Sequence, residues 1–332
     1  MSFEKVILIT GVAGFICSHV TNYFVQKYPS NLIVGVDKLM YCSNMKGLEP
    51  VIQSPNFIFR KADITEMDQM LPIFDEFKPT ILIHLAAYSH VDASFGNSID
   101  FTKNNVLGTH ILLELSRVKN VKLFLSMSTD EVYGSKDTLS YEYTILDPTN
   151  PYAATKAASE HLVRSYHHSF KLPSIIVRCN NVYGPGQHPE KVVPRFIMRL
   201  IAGKGLEIQG SGQQLRSFIH VKDVCTAIDT IYQKGIVGEI YNIGSENEMS
   251  ILELAGMLLK KFGKDGGESE KSSIRHIEDR KFNDQRYHIN YDKIGKLGWK
   301  QQIQFSDGMN ELVEWHKQNP DFWNMEDVAD LV

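Results

Sequence analysis

The strongest constraint on the fold lies between Lys5 and Asp37. Lys5-Val-Ile-Leu-Ile-Thr10 is an apolar, β-branched run, the pattern of a strand buried on both faces. It leads straight into Gly11-Val12-Ala13-Gly14-Phe15-Ile16-Cys17, which opens a helix carried on by Val20 and Phe24. Leu32 to Val36 is the next strand, and it ends at Asp37. Strand, glycine turn, helix and strand form a parallel βαβ unit, so the expected fold is α/β, a Rossmann-type doubly wound parallel sheet. Gly11 permits the tight turn and Gly14 lets a pyrophosphate approach the backbone. The helix start at Phe15 and Ile16 supplies N–H groups and a partial positive charge. Asp37 is spaced to accept hydrogen bonds from ribose hydroxyls and would repel a 2′-phosphate, which favours NAD over NADP. Cys17 stands where a third glycine is usual; that position serves helix packing, which a small thiol can satisfy.

The alternation continues. Phe57 to Arg60 and Thr80 to His84 read as short strands. Asp63, followed by Ile64, is placed either to reach an adenine amino group or to cap a helix before Thr65. Leu85-Ala86-Ala87 offers small residues over which a cofactor can lie closely, and Ser89 and His90 come next, placed to face a sugar. Asp100 to Val118 reads as a helix with Val106, Ile111, Leu112 and Leu115 as its apolar residues, interrupted by Gly108, that packs on the sheet or on a partner subunit.

Proton-transfer chemistry is concentrated between Ser126 and Glu160. Val121 to Met127 is a buried strand, and Ser128-Thr129-Asp130-Glu131 follows at its end, the usual ligand position in an open α/β sheet. Asn150 and Pro151 start a helix as N-cap and first helical residue. Tyr152 and Lys156, four apart, share a face of it. A phenol of pKa about 10 is a poor base near neutrality unless a cation stabilises the phenolate, and Lys156 is placed to be that cation. Beside a hydride acceptor such a pair oxidises a secondary alcohol. Asp130 and Glu131 add to this. A carbonyl made at one carbon acidifies the proton on its neighbour, which a carboxylate can remove, while a second carboxyl kept protonated donates to a departing hydroxyl two carbons away. Repulsion between the two raises one pKa, as acid chemistry requires. Taken without its neighbours, an Asp-Glu pair is more commonly an exposed acidic turn.

Ser174 to Val177 is another strand, leading into a loop from Arg178 to Lys191 rich in Gly, Pro and Asn, which reads as a ligand-contacting segment. From about Asn180 the alternation weakens. The expected organisation is a Rossmann domain over residues 1–180 and a smaller α/β lobe over 181–332 that mainly binds substrate. In that lobe Pro194 to Ala202 and Ile251 to Phe262 read as helices, Arg216 to Val221 and Glu239 to Ile243 as strands, and Gly263 to Ser272 as a charged, glycine-rich surface loop. Arg216 and the run from Asp279 to Tyr287 offer forked donors for a diphosphate.

Composition narrows the partners. With 43% hydrophobic and 22% charged residues over 332, the chain has the make-up of a globular protein. A formal net charge of -4 gives no basic surface for nucleic acid, and no apolar run approaches a membrane span. Cys17, Cys42, Cys179 and Cys225 are scattered and the histidines lack ligand spacing, so neither a disulfide framework nor a metal site is expected. A reduced, cytoplasmic setting fits this pattern, as does an amino-terminal apolar run, Val6 to Ile9, too short for a signal peptide.

Ser-Thr-Asp-Glu-Val-Tyr-Gly at 128–134, Tyr-x-x-x-Lys from 152, Ser-His-Val-Asp at 89–92 and Pro-Glu-Lys at 189–191 resemble motifs of the extended short-chain dehydrogenase/reductases, and within them the nucleotide-sugar 4,6-dehydratases. The resemblance covers Val6 to about Trp323. It implies a tightly bound NAD, with Lys38, Asp63, Ile64 and Asn104 among its contacts. It implies that Tyr152, with Lys156 and Thr129, oxidises C4 of a nucleotide-bound glucose, that Glu131 takes the C5 proton, and that Asp130 protonates the C6 hydroxyl. Substrate contacts are implied at Ser89, His90, Thr129, Asn181, Lys191, Arg216, Asn242, Arg280, Asn283 and Tyr287, and a homodimer through the helices near 100–118 and 152–168. Tyr88, Gln209 and Asn283 depart from the bacterial dTDP-glucose pattern. Phe-Gly-Asn-Ser at 95–98, Lys-Asn-Asn at 103–105 and Phe-Asn-Asp-Gln-Arg-Tyr at 282–287 are instead similar to the dehydratase domain of plant-type UDP-rhamnose synthases. UDP-glucose is therefore the expected substrate, with dTDP-glucose the alternative, and a separate epimerase/reductase is expected to act downstream.

Overall fold

In the computed structural model, residues 3–264 and 273–323 are described. The opening runs become β1 (Val6–Thr10), α1 (Phe15–Lys27) and β2 (Leu32–Asp37), followed by β3 (Phe57–Lys61), α2 (Met67–Phe77) and β4 (Ile81–His84). Then come α3 (Val91–Gly96), α4 (Ser98–Phe101), α5 (Gly108–Val118), β5 (Leu123–Thr129), α6 (Pro151–Phe170) and β6 (Ser174–Cys179). The carboxy-terminal part adds β7 (Asn181–Tyr183), α7 (Val192–Ile201), β8 (Leu206–Gln209), β9 (Leu215–His220), α8 (Val221–Lys234), β10 (Ile240–Ile243), β11 (Glu248–Ser250), α9 (Ile251–Lys261) and β12 (Ile274–Ile277).

Seven strands make one sheet in the order β10-β6-β5-β4-β1-β2-β3, with every pairing parallel. Its strands are near-continuously apolar because both faces are covered. Successive residues of β1 point to opposite faces: Ile7 and Ile9 pack in one core with Val20, Phe24 and Ile228, and Leu8 in another with Phe74, Leu112 and Val163. The strand order reverses at β1, whose neighbours are β2 and β4, and the crevice above that point is where open α/β sheets bind ligands.

Two expectations need correction. The segment near 100–118 is not one helix broken at Gly108; α4 and α5 flank a π-helical turn, Thr102–Leu107, that buries Asn104 and Asn105. Asn105 takes the Tyr88 N–H on Oδ1 at 2.8 Å and returns a bond to the Tyr88 carbonyl at 3.0 Å, so the turn secures the loop after β4. Gly108 serves close approach, since a Cβ there would lie 2.7 Å from Ile64 Cδ1. The chain also crosses the expected boundary at 180/181 in space. Beyond it, α8 packs on α1 and β10 joins the main sheet beside β6, because the edge of β6 still needs a partner. The rest of the later chain forms a lobe of two small sheets, β11-β9-β7 and β12-β8, around Phe196, Ile208, Phe218 and Leu258. Most of the expected loop Gly263 to Ser272 lies outside the described residues.

Candidate active site

A cavity of about 410 Å³ opens over the carboxyl ends of β1, β2, β4 and β5 and continues between the sheet and the lobe. Its cofactor end is built from backbone. Gly11 has φ of 83°, and a Cβ there would stand 2.8 Å from the Ala86 Cα, so the floor where β1 meets Leu85, Ala86 and Ala87 admits no side chain. Gly14 is the N-cap of α1 and gives no side-chain cap, which leaves the first amide groups of the helix, at Phe15 and Ile16, for an anion. Asp37 is buried; its Oδ2 accepts the Ala13 N–H at 3.0 Å, and its Oδ1 those of Leu39 at 2.7 Å and the Ser43 hydroxyl at 3.1 Å. A carboxylate has about four acceptor sites, so one remains on Oδ2 for a ribose hydroxyl. Lys38 donates to Asn104 Oδ1 at 2.8 Å and lies over the Tyr88 ring at 4.6 Å. This donor set fits NAD. The Cys17 thiol donates to the Thr10 carbonyl at 3.1 Å, tying α1 to β1 in place of glycine contact.

The reactive end is assembled where β5 stops. Thr129 is its last residue and caps a 3₁₀ turn, Asp130–Tyr133, by accepting the Glu131 N–H. Asn150 caps α6 as the sequence predicts, accepting the Ala153 N–H at 2.8 Å, and its amide also donates to Glu131 Oε2 at 3.1 Å. One residue thus joins the helix of Tyr152 and Lys156 to the turn of Asp130 and Glu131. Asp130 accepts from the Thr129 hydroxyl at 3.1 Å and from the Asn180 amide at 2.7 Å. Thr129, Glu131, Tyr152 and Lys156 line the cavity, whereas Asp130 is 1% exposed and does not.

Burial dominates the electrostatics. It pushes the Asp130 carboxyl up to about 7, helped by the charge of Glu131, so about half of this group is protonated at neutrality. Burial also raises Glu131, opposed by the Asn150 hydrogen bond and the charges of Arg216 and Lys191. Burial drives Lys156 down to about 8, with Glu160 working against it. The Tyr152 phenol is raised by burial and by the charges of Glu131 and Asp130, with only the Thr129 hydroxyl opposing. The expected direct support of Tyr152 by Lys156 is absent from this arrangement: the ammonium donates to the Met127 carbonyl at 2.6 Å. A buried ammonium needs an acceptor, and the strand supplies one.

Toward the lobe, Lys191 donates to the Ser89 carbonyl at 2.7 Å, and His90 Nδ1 lies 3.3 Å from Glu190. Arg216 lies over the Tyr287 ring at 4.6 Å and bonds Asn283 Oδ1 at 3.2 Å, while the Tyr287 hydroxyl donates to Asp284 at 2.6 Å. Arg280 pairs with Asp92 at 3.1 Å and donates to Gln209 at 3.0 Å. Asn181 lines the cavity with all of these except Asp284.

Two residues placed at ligands by the sequence reading are elsewhere. Asn242 is fully buried on β10, accepting the Tyr133 hydroxyl at 2.8 Å and donating to the Asn290 carbonyl at 2.8 Å, so its amide is spent in the core. Asp63 does not line the cavity, though Ile64 does; its Oδ1 binds the Thr65 N–H and hydroxyl, both at 2.9 Å, in a turn ahead of α2. Its other oxygen pairs with Lys38 at 3.2 Å. Conversely, the bonds that Asn180 and Asn150 make to the carboxyls were not anticipated. Nothing in the local pattern marks Asn180, whereas the cap signal at Asn150 located that residue without its second contact.

The fold is that of solved nucleotide-sugar 4,6-dehydratases. Residues 8–312 match the family model described as GDP-mannose 4,6 dehydratase, and the chain belongs to that family. It is 46% identical over 324 residues to a trifunctional UDP-glucose 4,6-dehydratase/UDP-4-keto-6-deoxy-D-glucose 3,5-epimerase/UDP-4-keto-L-rhamnose-reductase of Arabidopsis thaliana, a match covering 96% of this chain and 48% of the relative. The chain therefore spans about half the length of that protein. It is 43% identical over 330 residues to the dTDP-D-glucose 4,6-dehydratase of Mus musculus, covering 99% of this chain and 93% of the other. The dTDP-glucose 4,6-dehydratase DesIV of Streptomyces venezuelae, crystallised with NAD bound, superposes with a TM-score of 0.91 at 38% identity, covering 96% of this chain and 99% of that one. Among the described residues, no helix is long and apolar enough to cross a membrane.

Proposed function

We propose that this chain is a UDP-glucose 4,6-dehydratase, forming UDP-4-keto-6-deoxyglucose and water. The observation that carries the elimination is the buried Asp130, raised to about 7 beside Glu131 at the end of β5. A simple alcohol dehydrogenation needs Tyr152, Lys156 and Thr129 and no such acid. When bound in the cradle of Gly11, Gly14, Asp37 and Ala86, NAD supplies both the two-electron acceptor and the donor, so no outside redox partner is consumed.

Tyr152, acting as the phenolate that the Thr129 hydroxyl favours, takes the proton of the C4 hydroxyl as that carbon is oxidised; Lys156, seated on the Met127 carbonyl, is the cation one helical turn away. The C4 carbonyl acidifies C5. Glu131 removes the C5 proton, and Asp130 gives its proton through the hydroxyl of Thr129, its hydrogen-bond partner on the cavity wall, to the C6 hydroxyl, which leaves as water. Return of a hydride to C6 and a proton to C5 completes a 4-keto-6-deoxy sugar. Arg216 and Lys191 hold the diphosphate by charge; Ser89, His90, Asn181, Arg280, Asn283 and Tyr287 surround the rest of the nucleotide sugar.

Uracil is preferred over thymine on two grounds. Identity is 44–46% to three Arabidopsis thaliana proteins named for UDP-glucose, against 41–43% for the mammalian enzymes named for dTDP-glucose. Gln209 and Arg280, locked to Asp92, also give the cavity a polar wall that gains nothing from a base methyl. Incubation with UDP-glucose and dTDP-glucose separately, followed by product mass, tests the assignment. Loss of water from UDP-glucose at the higher kcat/KM is expected. Faster turnover of dTDP-glucose reverses the choice of base, and an unchanged mass marks an epimerase. A homodimer, and a separate epimerase/reductase consuming the keto sugar, belong to the same proposal.

A further inference from the structure

A buried ion pair lies beneath the reactive centre, outside the cavity. Arg178, on β6, is 1% exposed, and Glu160, one helical turn beyond Lys156 on α6, is 2% exposed. The guanidinium meets the carboxylate as a fork, Nε at 3.0 Å from Oε1 and the terminal nitrogen at 2.6 Å from Oε2. Its other terminal nitrogen donates to the Tyr133 hydroxyl at 2.7 Å and to the Glu142 carbonyl at 3.1 Å. Tyr133 closes the 3₁₀ turn that begins with Asp130 and Glu131, and its hydroxyl donates onward to Asn242 on β10. Two charges so deeply buried are weak evidence for stability, since apolar residues of similar size often serve as well. What this pair has that an apolar pair would lack is direction: a planar fork with one branch on the helix of Tyr152 and Lys156 and the other on the turn of Asp130 and Glu131.

We propose that Glu160, Arg178 and Tyr133 are positioning residues that hold the eliminating carboxyls in register with the oxidising pair, so that both half-reactions act on one bound sugar. The inference rests on the dehydratase reading above. The face of α6 bearing Tyr152 and Lys156 has ties of its own, through the Asn150 cap, the Lys156 bond to Met127 and a 2.9 Å bond from Asn105 to Thr155. The 3₁₀ turn is tied by Asn180 and Asn150 at its carboxyls, by the Val132 carbonyl accepting the Asp147 N–H at 3.0 Å and by packing of Val132 and Tyr133 on Ala157 and Ile289. The Tyr133 hydroxyl is the tie that sets this turn against the guanidinium and so against α6. Its loss removes that registration while the oxidising face keeps its own bonds.

Tyr133→Phe removes the hydroxyl and keeps the ring against which the guanidinium lies. In the NAD-loaded variant given UDP-glucose, reduced nicotinamide is expected to form in a single turnover at close to the wild-type rate and then to accumulate. Water loss and deuterium uptake at C5 are expected to slow by about 10- to 100-fold, the cost of a small misplacement near reacting atoms, with KM little changed. Arg178→Lys keeps a cation opposite Glu160 without the branch to Tyr133, and the same split is expected from it. Slowing of oxidation and elimination by the same factor, or of neither, overturns the proposal, because a merely structural part would lower Tm and scale both steps together. The wild type run alongside separates the two claims: if it removes no water from UDP- or dTDP-glucose, the dehydratase reading fails and takes this one with it; if it does, the ratio of steps in the variants decides.

Discussion

The cofactor cradle and the reactive centre sit in one cavity but are made in different ways. The cradle works by what is missing: side chains at Gly11 and Gly14, a cap on α1, bulk at Ala86 and Ala87. Its parts come mostly from one βαβ stretch, and apart from the Asp37 carboxylate and Lys38 its ligand groups are backbone amides whose chemistry no neighbour can alter. The reactive centre works by what is buried. Asp130, Glu131, Tyr152 and Lys156 come from two segments, and their proton affinities are set by burial and by one another, with Asn180, Asn150 and Arg216 as neighbours. Geometry alone suffices for the first; the second also needs a particular dielectric and a particular set of partners.

That contrast is open to attack at three points. The largest effect is expected at Tyr152→Phe, which should lower turnover by about 10²- to 10⁴-fold, the range for a positioned acid–base group, while NAD stays bound through gel filtration. Loss of NAD from this variant would show that the two regions are not separable, and near-normal turnover would remove Tyr152 from its role. A middle effect is expected at Gly11→Ala. The added Cβ meets the Ala86 backbone at a positive φ, which costs on the order of 1–3 kcal/mol. The expected outcome is a lower Tm and protein purified free of NAD; full retention of NAD would mean that the cradle does not depend on the missing side chain.

The smallest effect is a pH slope. Asp130 is raised from 3.8 to about 7, so the folded protein holds a proton there that the unfolded chain has released. The stability this group contributes therefore falls as pH climbs from about 4 through 7. Asp130→Asn has no proton to lose, and its Tm relative to wild type should rise by about 2–4 °C between pH 5 and 8 while dehydration is lost. A difference in Tm that does not change with pH would place the ordinary carboxylate, not a buried acid, at Asp130.

The strands, the helix starts and the Asn150 cap were legible because each is written in a few consecutive residues. The π-helical turn at Thr102–Leu107 was not. It arises where Asn105 must reach both polar groups of Tyr88, a demand from a segment distant in sequence. Asn242 shows the reverse error: a residue type suited to ligand contact is satisfied in the core by Tyr133 and Asn290, which no pattern near 242 discloses. Gln209, read only as a departure in type, proves to be clamped by Asp92 and Arg280 from two other segments.

By itself the sequence determined the parallel sheet, the glycine cradle with Asp37, and the presence of two proton-transfer pairs. Strand and helix periods, and the room that glycine leaves, are properties of neighbours along the chain. The tertiary structure decided that β10 would cross back to the main sheet, that Lys156 would turn to Met127, and that Asp130 rather than Glu131 would be the carboxyl taken out of contact with the cavity. Those outcomes depend on burial and on partners far off in sequence, and desolvation exists only once the chain has closed around the group.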